Sequence, residues 1–70
     1  NVDLSGKNLS LVNFNGANFS GANLSNSDLR FSDLSGANLE GANLQGALLD
    51  NAILSNANLK CLNHPICLDE

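Results

Sequence analysis

The chain has 70 residues, with seven acidic and three basic side chains, a net charge of -4 and two cysteines. A chain of this length forms one small domain, and the excess of acid leaves no basic patch to neutralise nucleic-acid phosphates. No apolar run approaches the roughly 20 residues of a membrane-spanning helix. We therefore expect no direct nucleic-acid binding and no membrane span.

A five-residue pattern runs along the chain: a small residue, Asn or Asp, a large apolar residue, and two polar or glycine positions. It is most regular in GANLEGANLQGA, from Gly36 to Ala47. Because the repeats continue without a slip from Val2 to Cys61, the large apolar residues define the predicted core. They are Leu4, Leu9, Phe14, Phe19, Leu24, Leu29, Leu34, Leu39, Leu44, Leu49, Leu54 and Leu59.

A period of five fits neither a helix nor a continuous strand. Successive leucines would spiral about 140° apart around a helix and would alternate between the two faces of a strand. The chain must therefore turn after every repeat, so that Ala37 and Leu39 point inward and Asn38 points outward. Glu40 and Gly41 then form the corner, where glycine accepts a positive φ without penalty.

These repeats resemble the A-(N/D)-L-x-x motif of the pentapeptide-repeat family over about the first sixty residues. The resemblance implies an all-β fold, a right-handed quadrilateral β-helix with four repeats to a coil. Three coils would then follow one another: a first coil, residues 2–21, a second, residues 22–41, and a third, residues 42–61.

The charges also favour four repeats per coil over three. A separation of twenty residues brings Arg30 to Asp50 and Glu40 to Lys60. Both pairs carry opposite charge, so we expect them to meet on neighbouring coils.

The first coil is the least regular. Lys7 occupies a small inward position, and because a lysine is not buried unpaired, we expect this coil to be distorted or open to water there. The chain opens at Asn1, almost inside a repeat, so we expect it to be a processed or excised piece. Further sequence, a second copy or another protein should then cover the apolar residues of the first coil.

Polar positions in the repeats have structural interpretations. Ser27 and Ser32 fall on inward sites, where each hydroxyl needs a backbone partner. Asn18, Asn38 and Asn58 form a column at twenty-residue spacing, for which we expect a ladder of side-chain hydrogen bonds.

The C-terminal residues leave the repeat and are predicted to cap it. The chain is thus divided into a repeat domain, residues 1–61, and a capping tail, residues 62–70, whose proline prevents it from pairing as another strand. Leu62, Ile66 and Leu68 are expected to lie over the third coil.

Cys61, His64 and Cys67 are spaced as C-x2-H-x2-C. A disulfide closing a short loop is favoured, and free thiols or a zinc site remain alternatives; Asp69 is the one nearby candidate for a fourth ligand. A disulfide suits an oxidising compartment. Since the family resembled here includes lumenal members with cysteine-bearing ends, a thylakoid lumen or a periplasm is the expected location.

Four apolar residues stand at outward or corner positions and fall on one edge when the sequence is folded at twenty residues per coil. We call them the apolar edge: Leu11, Phe31, Leu48 and Ile53. A contiguous apolar patch usually marks a contact surface. The alternative is that these side chains turn inward or that the tail covers them.

No catalytic constellation is visible, and we expect a non-enzymatic module without a cofactor. The leading hypothesis is a structural or protein-interaction module that docks a partner protein, or joins a larger complex, through the apolar edge or the first coil. End-to-end self-association through the first coil is a further expectation.

Two alternatives remain. The family resembled here includes DNA mimics that act on topoisomerases, but three coils about 4.8 Å apart make a rod of only about 14 Å, and the acids are few. The second alternative is a scaffold carrying a metal-binding tail, which rests on Cys61, His64 and Cys67 alone.

Overall fold

The computed structural model describes residues 2–68. No helix and no strand longer than a single bridge occurs within that range, so the extended sides expected from the sequence are shorter than regular strands. Nine parallel bridges join residues twenty apart, or nineteen in the last case. Each turn of the coil therefore takes four repeats. The bridged columns are side one (Asp3, Asn23, Asn43, Leu62), side two (Asn8, Asp28, Leu48), side three (Asn13, Asp33, Ile53) and side four (Asn18, Asn38, Asn58).

Backbone hydrogen bonds connect successive coils on every side. On side one, Asn23 N–H donates to Val2 C=O at 2.8 Å, and Leu4 N–H donates to Asn23 C=O at 2.8 Å. At the corner that follows, Gly6 N–H donates to Ser25 C=O at 2.9 Å. Each coil thus satisfies the backbone of the next, although the paired side is too short to form a regular strand.

Corners are tight turns that end on a left-handed residue. The bond from Ala42 N–H to Leu39 C=O, 3.0 Å, closes one of them, and Gly41 has a φ of 72°. The predicted role of glycine is confirmed at all six glycines. All but one of the other second corner positions also have positive φ, the exception being Cys61 at the end of the repeats; they hold Leu11, Asn26, Phe31, Asn51 and Asn56.

The outward Asn and Asp side chains serve their own corner. Asn38 Oδ1 accepts from Glu40 N–H at 3.0 Å, and Asn58 Oδ1 accepts from Lys60 N–H at 3.1 Å. Asn18 makes the same bond to Ser20 N–H. The predicted side-chain ladder along this column is therefore wrong: the amide is used within its own repeat as an Asx turn, and the backbone joins the coils.

The interior is a stack of leucines with small residues beside them. Leucines of the second coil are fully buried, whereas Leu4, Leu9, Phe14, Leu49, Leu54 and Leu59 are half-buried because they lie toward the two ends. Phe19 is buried and meets Phe14 edge to face, with ring centroids 5.1 Å apart. The backbone bonds expected for the buried serines are confirmed, from Ser27 Oγ to Leu24 C=O and from Ser32 Oγ to Leu29 C=O.

Two expectations about charged residues need correction. Arg30 pairs with Asp28 of its own repeat, at 2.8 Å, and not with Asp50 of the next coil. Within residues 2–68 this is the one ion pair, so Glu40 and Lys60 do not form the expected pair. A carboxylate two residues away lies on the same corner and needs no stretch across the coil spacing.

Lys7 leaves the first coil open to water but not distorted. Its side chain is exposed, while its C=O accepts from Asp28 N–H at 2.9 Å as the regular ladder requires. The molecule measures 28 × 23 × 21 Å along its principal axes. Residues 2–68 contain no helix long and apolar enough to cross a membrane.

Candidate functional site

The apolar edge is exposed to solvent. Leu11, Phe31, Leu48 and Ile53 keep 79%, 57%, 46% and 51% of their surface accessible. None of the four is among the residues packed against the buried core. The alternative that these side chains turn inward is therefore wrong.

Leu11 and Phe31 occupy the same corner on successive coils. Leu11 N–H donates to Arg30 C=O at 3.1 Å, and Phe31 N–H donates to Asp50 C=O at 3.0 Å, so the corners stack in register. Both residues have a φ of 62°. A bulky side chain in the left-handed region costs about 1–2 kcal/mol, and neither residue recovers this cost by packing against the core.

The next member of that corner column shows what the backbone alone prefers. Asn51 has the same φ of 62°, and Asn is among the residues that tolerate this conformation. Two coils below, the corner from Leu9 to Val12 lacks the closing hydrogen bond between Val12 N–H and Leu9 C=O, whereas the Phe31 corner keeps its equivalent, from Ser32 N–H to Leu29 C=O at 3.2 Å. Large apolar residues at this corner are thus a departure from what the fold needs.

Leu48 and Ile53 replace the outward Asx residue on sides two and three. Every Asn and Asp at this position within the described repeats accepts a bond from the N–H two residues on, as Asp33 does from Ser35 at 3.0 Å. A leucine or isoleucine has no acceptor, so these two repeats lose that corner bond. Their side chains instead add exposed apolar surface beside the corner at Asn51.

Val12, at the small position of the first coil that follows the Leu11 corner, is exposed in the structure. Its side chain keeps 39% of its surface accessible, and the residue directly follows Leu11 of the apolar edge. The signal in the sequence is a β-branched residue where the other coils carry Ala or Ser.

An ion pair between Arg30 and Asp28 lies beside the apolar edge. The Arg30 guanidinium makes two bonds to the Asp28 carboxylate, from Nε at 2.9 Å and from Nη2 at 2.8 Å. These bonds, with a further one from Arg30 N–H, lower the pKa of Asp28 to about 2. The pKa of Asp33 is also lowered, by the hydroxyl and N–H of Ser35.

The tail continues the coil on side one and then crosses its end. Leu62 N–H donates to Ala42 C=O at 2.8 Å, and Leu44 N–H donates to Leu62 C=O at 3.0 Å. The chain then turns at Asn63, which has a φ of 69°. The described part of the tail thus pairs once with the coil, at Leu62, and leaves it before Pro65.

The His64 side chain donates a hydrogen bond to Ala47 C=O, on side two of the third coil, where a backbone N–H donates on the earlier coils. Ile66 N–H donates to Nδ1 at 3.2 Å, which leaves the proton on Nε2 to donate to Ala47 C=O at 3.0 Å. Elsewhere in the coil a backbone N–H of the next coil bonds the carbonyl at this position. Leu68 N–H similarly reaches Leu59 C=O at 2.7 Å.

The three apolar residues of the tail contact the repeats in different ways. Ile66 packs against the core. Leu62 and Leu68 are exposed and contact the coil through their backbones. None of the tail contacts involves the apolar edge, so the alternative that the described part of the tail covers it is also wrong.

The cysteines flank His64 and are joined to each other. A disulfide links Cys61 and Cys67, whose Cα atoms lie 5.0 Å apart. The thiolates that a zinc site would need are therefore consumed, and the His64 nitrogens already have partners. Residues 2–68 contain no cluster of three metal-ligating side chains, and Asp69, the expected fourth ligand, lies outside the described residues.

Hydroxyl, carboxylate and imidazole groups do not converge anywhere in the described chain. The structure has no pocket within residues 2–68, and the outward carboxylates are spaced by the repeat. The feature of the surface that departs from the repeat pattern is the apolar edge.

Comparison with known proteins places these repeats among related sequences and structures. A family profile described as pentapeptide repeats matches eight copies, over residues 1–30 and 32–63. HetL, a pentapeptide repeat protein involved in heterocyst differentiation regulation from the cyanobacterium Nostoc sp. strain PCC 7120, is 36% identical over 96% of this chain, with a TM-score of 0.86. Rfr23, a pentapeptide repeat protein from the cyanobacterium Cyanothece 51142, is 29% identical over 89%, with a TM-score of 0.53.

A pentapeptide repeat protein of the Arabidopsis thaliana thylakoid lumen is 27% identical over 99% of the chain, with a TM-score of 0.45. The chain spans 32% of the HetL chain, 54% of the Rfr23 chain and 66% of the Arabidopsis chain. No relative among the curated proteins matches it.

Proposed function

This chain belongs to the pentapeptide-repeat family, whose fold is a right-handed quadrilateral β-helix, and from that premise we propose that it is a non-enzymatic protein-interaction module. Three coils form a rigid body, residues 62–70 act as its C-terminal cap, and the apolar edge docks a partner protein. The observation that carries the proposal is that four large apolar residues lie exposed where the fold prefers other residues.

The residues of the apolar edge cost folding stability, which supports a role for them outside folding. Leu11 and Phe31 hold a left-handed backbone with bulky side chains, and Leu48 and Ile53 forgo a corner hydrogen bond. Strained or underused positions of this kind cluster at functional sites. At protein interfaces a few side chains, often aromatic, carry most of the binding energy, and Phe31 is an exposed aromatic residue of this kind.

The relatives are compatible with a binding role. HetL is described as involved in the regulation of heterocyst differentiation. Because this chain spans about a third of HetL, the regulatory role of that protein is not transferred to it.

DNA mimicry has less support from the surface. Five carboxylates and three cationic side chains lie within residues 2–68, and Asp28 is neutralised by Arg30. A phosphate mimic needs a continuous row of negative charge, which the Asn residues at the same outward positions interrupt. A scaffold with a metal-binding tail is also less favoured, since the disulfide occupies both cysteines.

The docking proposal is tested by capturing a partner at the apolar edge. A photo-crosslinking amino acid is placed at position 31, the cross-linked protein is identified by mass spectrometry, and the purified protein is titrated against the chain. Truncating an anchor residue typically costs about 2 kcal/mol, so we expect Phe31→Asn with Ile53→Asn to weaken binding by at least about thirtyfold.

Leu68→Asn provides the matched control, because Leu68 is an equally exposed apolar residue located away from the apolar edge. We expect it to change the affinity less than twofold. Unchanged affinity in the double variant, or an equal loss in the control, would show that the apolar edge is not the docking surface.

A further inference from the structure

We propose that the disulfide between Cys61 and Cys67 is a reducible latch: it holds the tail against the end of the third coil, and its reduction by a dithiol releases the tail while the coils stay folded. The proposal rests on the capping role of the tail proposed above and is independent of docking at the apolar edge.

The two cysteines are placed as the fixed and movable halves of a latch. Cys61 is the last residue of the third coil and is buried, whereas Cys67 lies on the tail and is half-buried. The bond is the one covalent connection between the tail and the coil apart from the chain itself. It closes a loop that contains the turn in which Cys67 N–H donates to His64 C=O at 3.0 Å.

The other contacts of the tail are few and each is weak alone. After Leu62, the tail is held by Asn63 Nδ2 bonding Asn43 Oδ1, His64 bonding Ala47 C=O, and Leu68 N–H bonding Leu59 C=O. A single hydrogen bond contributes only about 1 kcal/mol net. The packing of Ile66 against the core is the main apolar contact that remains once the bond is broken.

Release of the tail would uncover groups that are satisfied while it is latched. The carbonyls of Ala47 and Leu59 would lose their tail donors, and the buried core would lose Ile66 and Cys67, which pack against it. An open coil end of this kind exposes unpaired backbone groups and apolar side chains. The latch therefore controls whether the C-terminal end of the coil is closed or available for contact.

The exchange reaction balances with an external dithiol as reductant. A thiolate of the dithiol attacks the Cys67 sulfur, which is the more accessible of the two, and the Cys61 sulfur leaves as a thiolate that takes up a proton. The second thiol of the reductant then attacks its own sulfur in the mixed disulfide and releases Cys67. Two electrons pass to the cysteine pair, and the reductant leaves as a cyclic disulfide.

The expected size of the effect follows from loop closure. A disulfide that closes a loop of about seven residues lowers the equilibrium constant for opening of the tail by a factor of about 50, because it restricts the conformations of the open tail. Opening of the tail should therefore become about fiftyfold more frequent on reduction. The second coil, held by ladders on both sides, should be unaffected.

Amide hydrogen exchange on the 70-residue chain, followed by NMR, measures this directly. The oxidised protein is compared with protein reduced by dithiothreitol, with thiol labelling to establish that both cysteines are free. We expect the amides of Leu62, Cys67 and Leu68 to exchange about fiftyfold faster after reduction, and those of Leu34 and Leu39 to keep their rates. Reoxidation should restore protection.

Cys67→Ser supplies the matched control: it should resemble the reduced protein and show no further response to dithiothreitol. If this variant fails to fold, the reduced wild-type chain still decides the question. Three outcomes would overturn the latch: unchanged exchange in the tail with both thiols labelled, equal acceleration in the tail and the second coil, or a disulfide that the dithiol does not reduce. Titration of the docking partner separates this result from the proposed function, since Phe31→Asn leaves the disulfide in place.

Discussion

The interior of the second coil and the apolar edge are built from the same kinds of residue with opposite outcomes. Leu24, Leu29, Leu34 and Leu39 are fully buried and line the coil, while the four residues of the apolar edge keep about half or more of their surface in water. The difference is position within the repeat. The third position points into the coil on every side, and the second and fifth positions point outward or form the corner.

This contrast shows that different positions of the repeat determine folding and the chemistry of the surface. Residues at the inward positions are constrained by packing against the coils on either side. Residues at the corner are constrained mainly by φ, and those at the outward position mainly by one hydrogen bond. Substitutions at the two regions should therefore change different measurements.

The largest effect is expected in the interior. Leu34→Ala removes a fully buried side chain, and such truncations cost about 2–5 kcal/mol because they leave a cavity. Urea unfolding followed by circular dichroism measures the loss, since the chain has no Trp or Tyr for fluorescence. Ile53→Ala, on the same side but pointing outward, should cost far less; equal losses would contradict the assignment of the two faces.

The next effect has the opposite sign. Phe31→Asn replaces a bulky residue at a φ of 62° with one that tolerates this conformation, so we expect the free energy of unfolding to rise by about 1 kcal/mol. Thermal unfolding should then shift upward by about 4–8 °C. The reciprocal change, Asn51→Phe on the same corner column, should destabilise by a similar amount. A loss of stability in Phe31→Asn would mean that the Phe31 side chain supports the fold.

A smaller gain is expected on side three. Ile53→Asn restores an acceptor for the N–H two residues on, the bond that Asp33 makes directly below. One such bond contributes about 0.5–1 kcal/mol, and chemical unfolding should detect it as a higher midpoint with an unchanged slope. Asp33→Val is the reverse control and should lose a similar amount. No gain in the first variant would show that water already satisfies this corner.

The smallest effect is a change in pH dependence. The pKa of Asp28 is lowered to about 2 by the Arg30 side chain and backbone, so its carboxylate contributes stability that is fully present above its ordinary pKa near 3.8 and is lost as the pH falls toward 2. Asp28→Asn should flatten the stability profile between about pH 5 and 2. Unfolding midpoints across that range provide the measurement.

Arg30→Gln removes the partner of the same pair and should flatten the profile in the same way. The double variant should then show little further change, because both substitutions remove one interaction. Asp3 and Asp33, whose pKa values are also lowered, should leave a residual slope in all three variants. A profile parallel to that of the wild-type chain would contradict the assigned ion pair.

The register of the apolar residues and the use of glycine at the corners were predictable from the sequence, because an unbroken period of five leaves few ways to bury every leucine. The destination of Arg30 was not predictable in the same way. The sequence spacing allows Arg30 to pair with either Asp28 or Asp50, and only the geometry of the corner favours Asp28, two positions away. The prediction of a side-chain ladder along the Asn column was wrong for a similar reason, because the Asx hydrogen bond within each repeat competes with a hydrogen bond between coils.

The candidate site was partly predictable. Leu11, Phe31, Leu48 and Ile53 stood out because they break the repeat, but their exposure depended on where the tail runs. The contacts of the tail were harder to predict. Its composition indicated a cap, but the backbone pairing of Leu62 and the hydrogen bond from His64 to Ala47 C=O depend on the path of a backbone that does not follow the five-residue repeat.

The sequence by itself determined the repeat, the inward face and the turn after every fifth residue, because each follows from local geometry and the need to bury one apolar residue per repeat. The tertiary structure decided which partner each polar group takes, how the tail closes the third coil, and that the apolar edge stays uncovered by residues 62–68. These outcomes depend on distances between residues twenty positions apart or at the end of the array, where several partners compete and only the folded coil selects one.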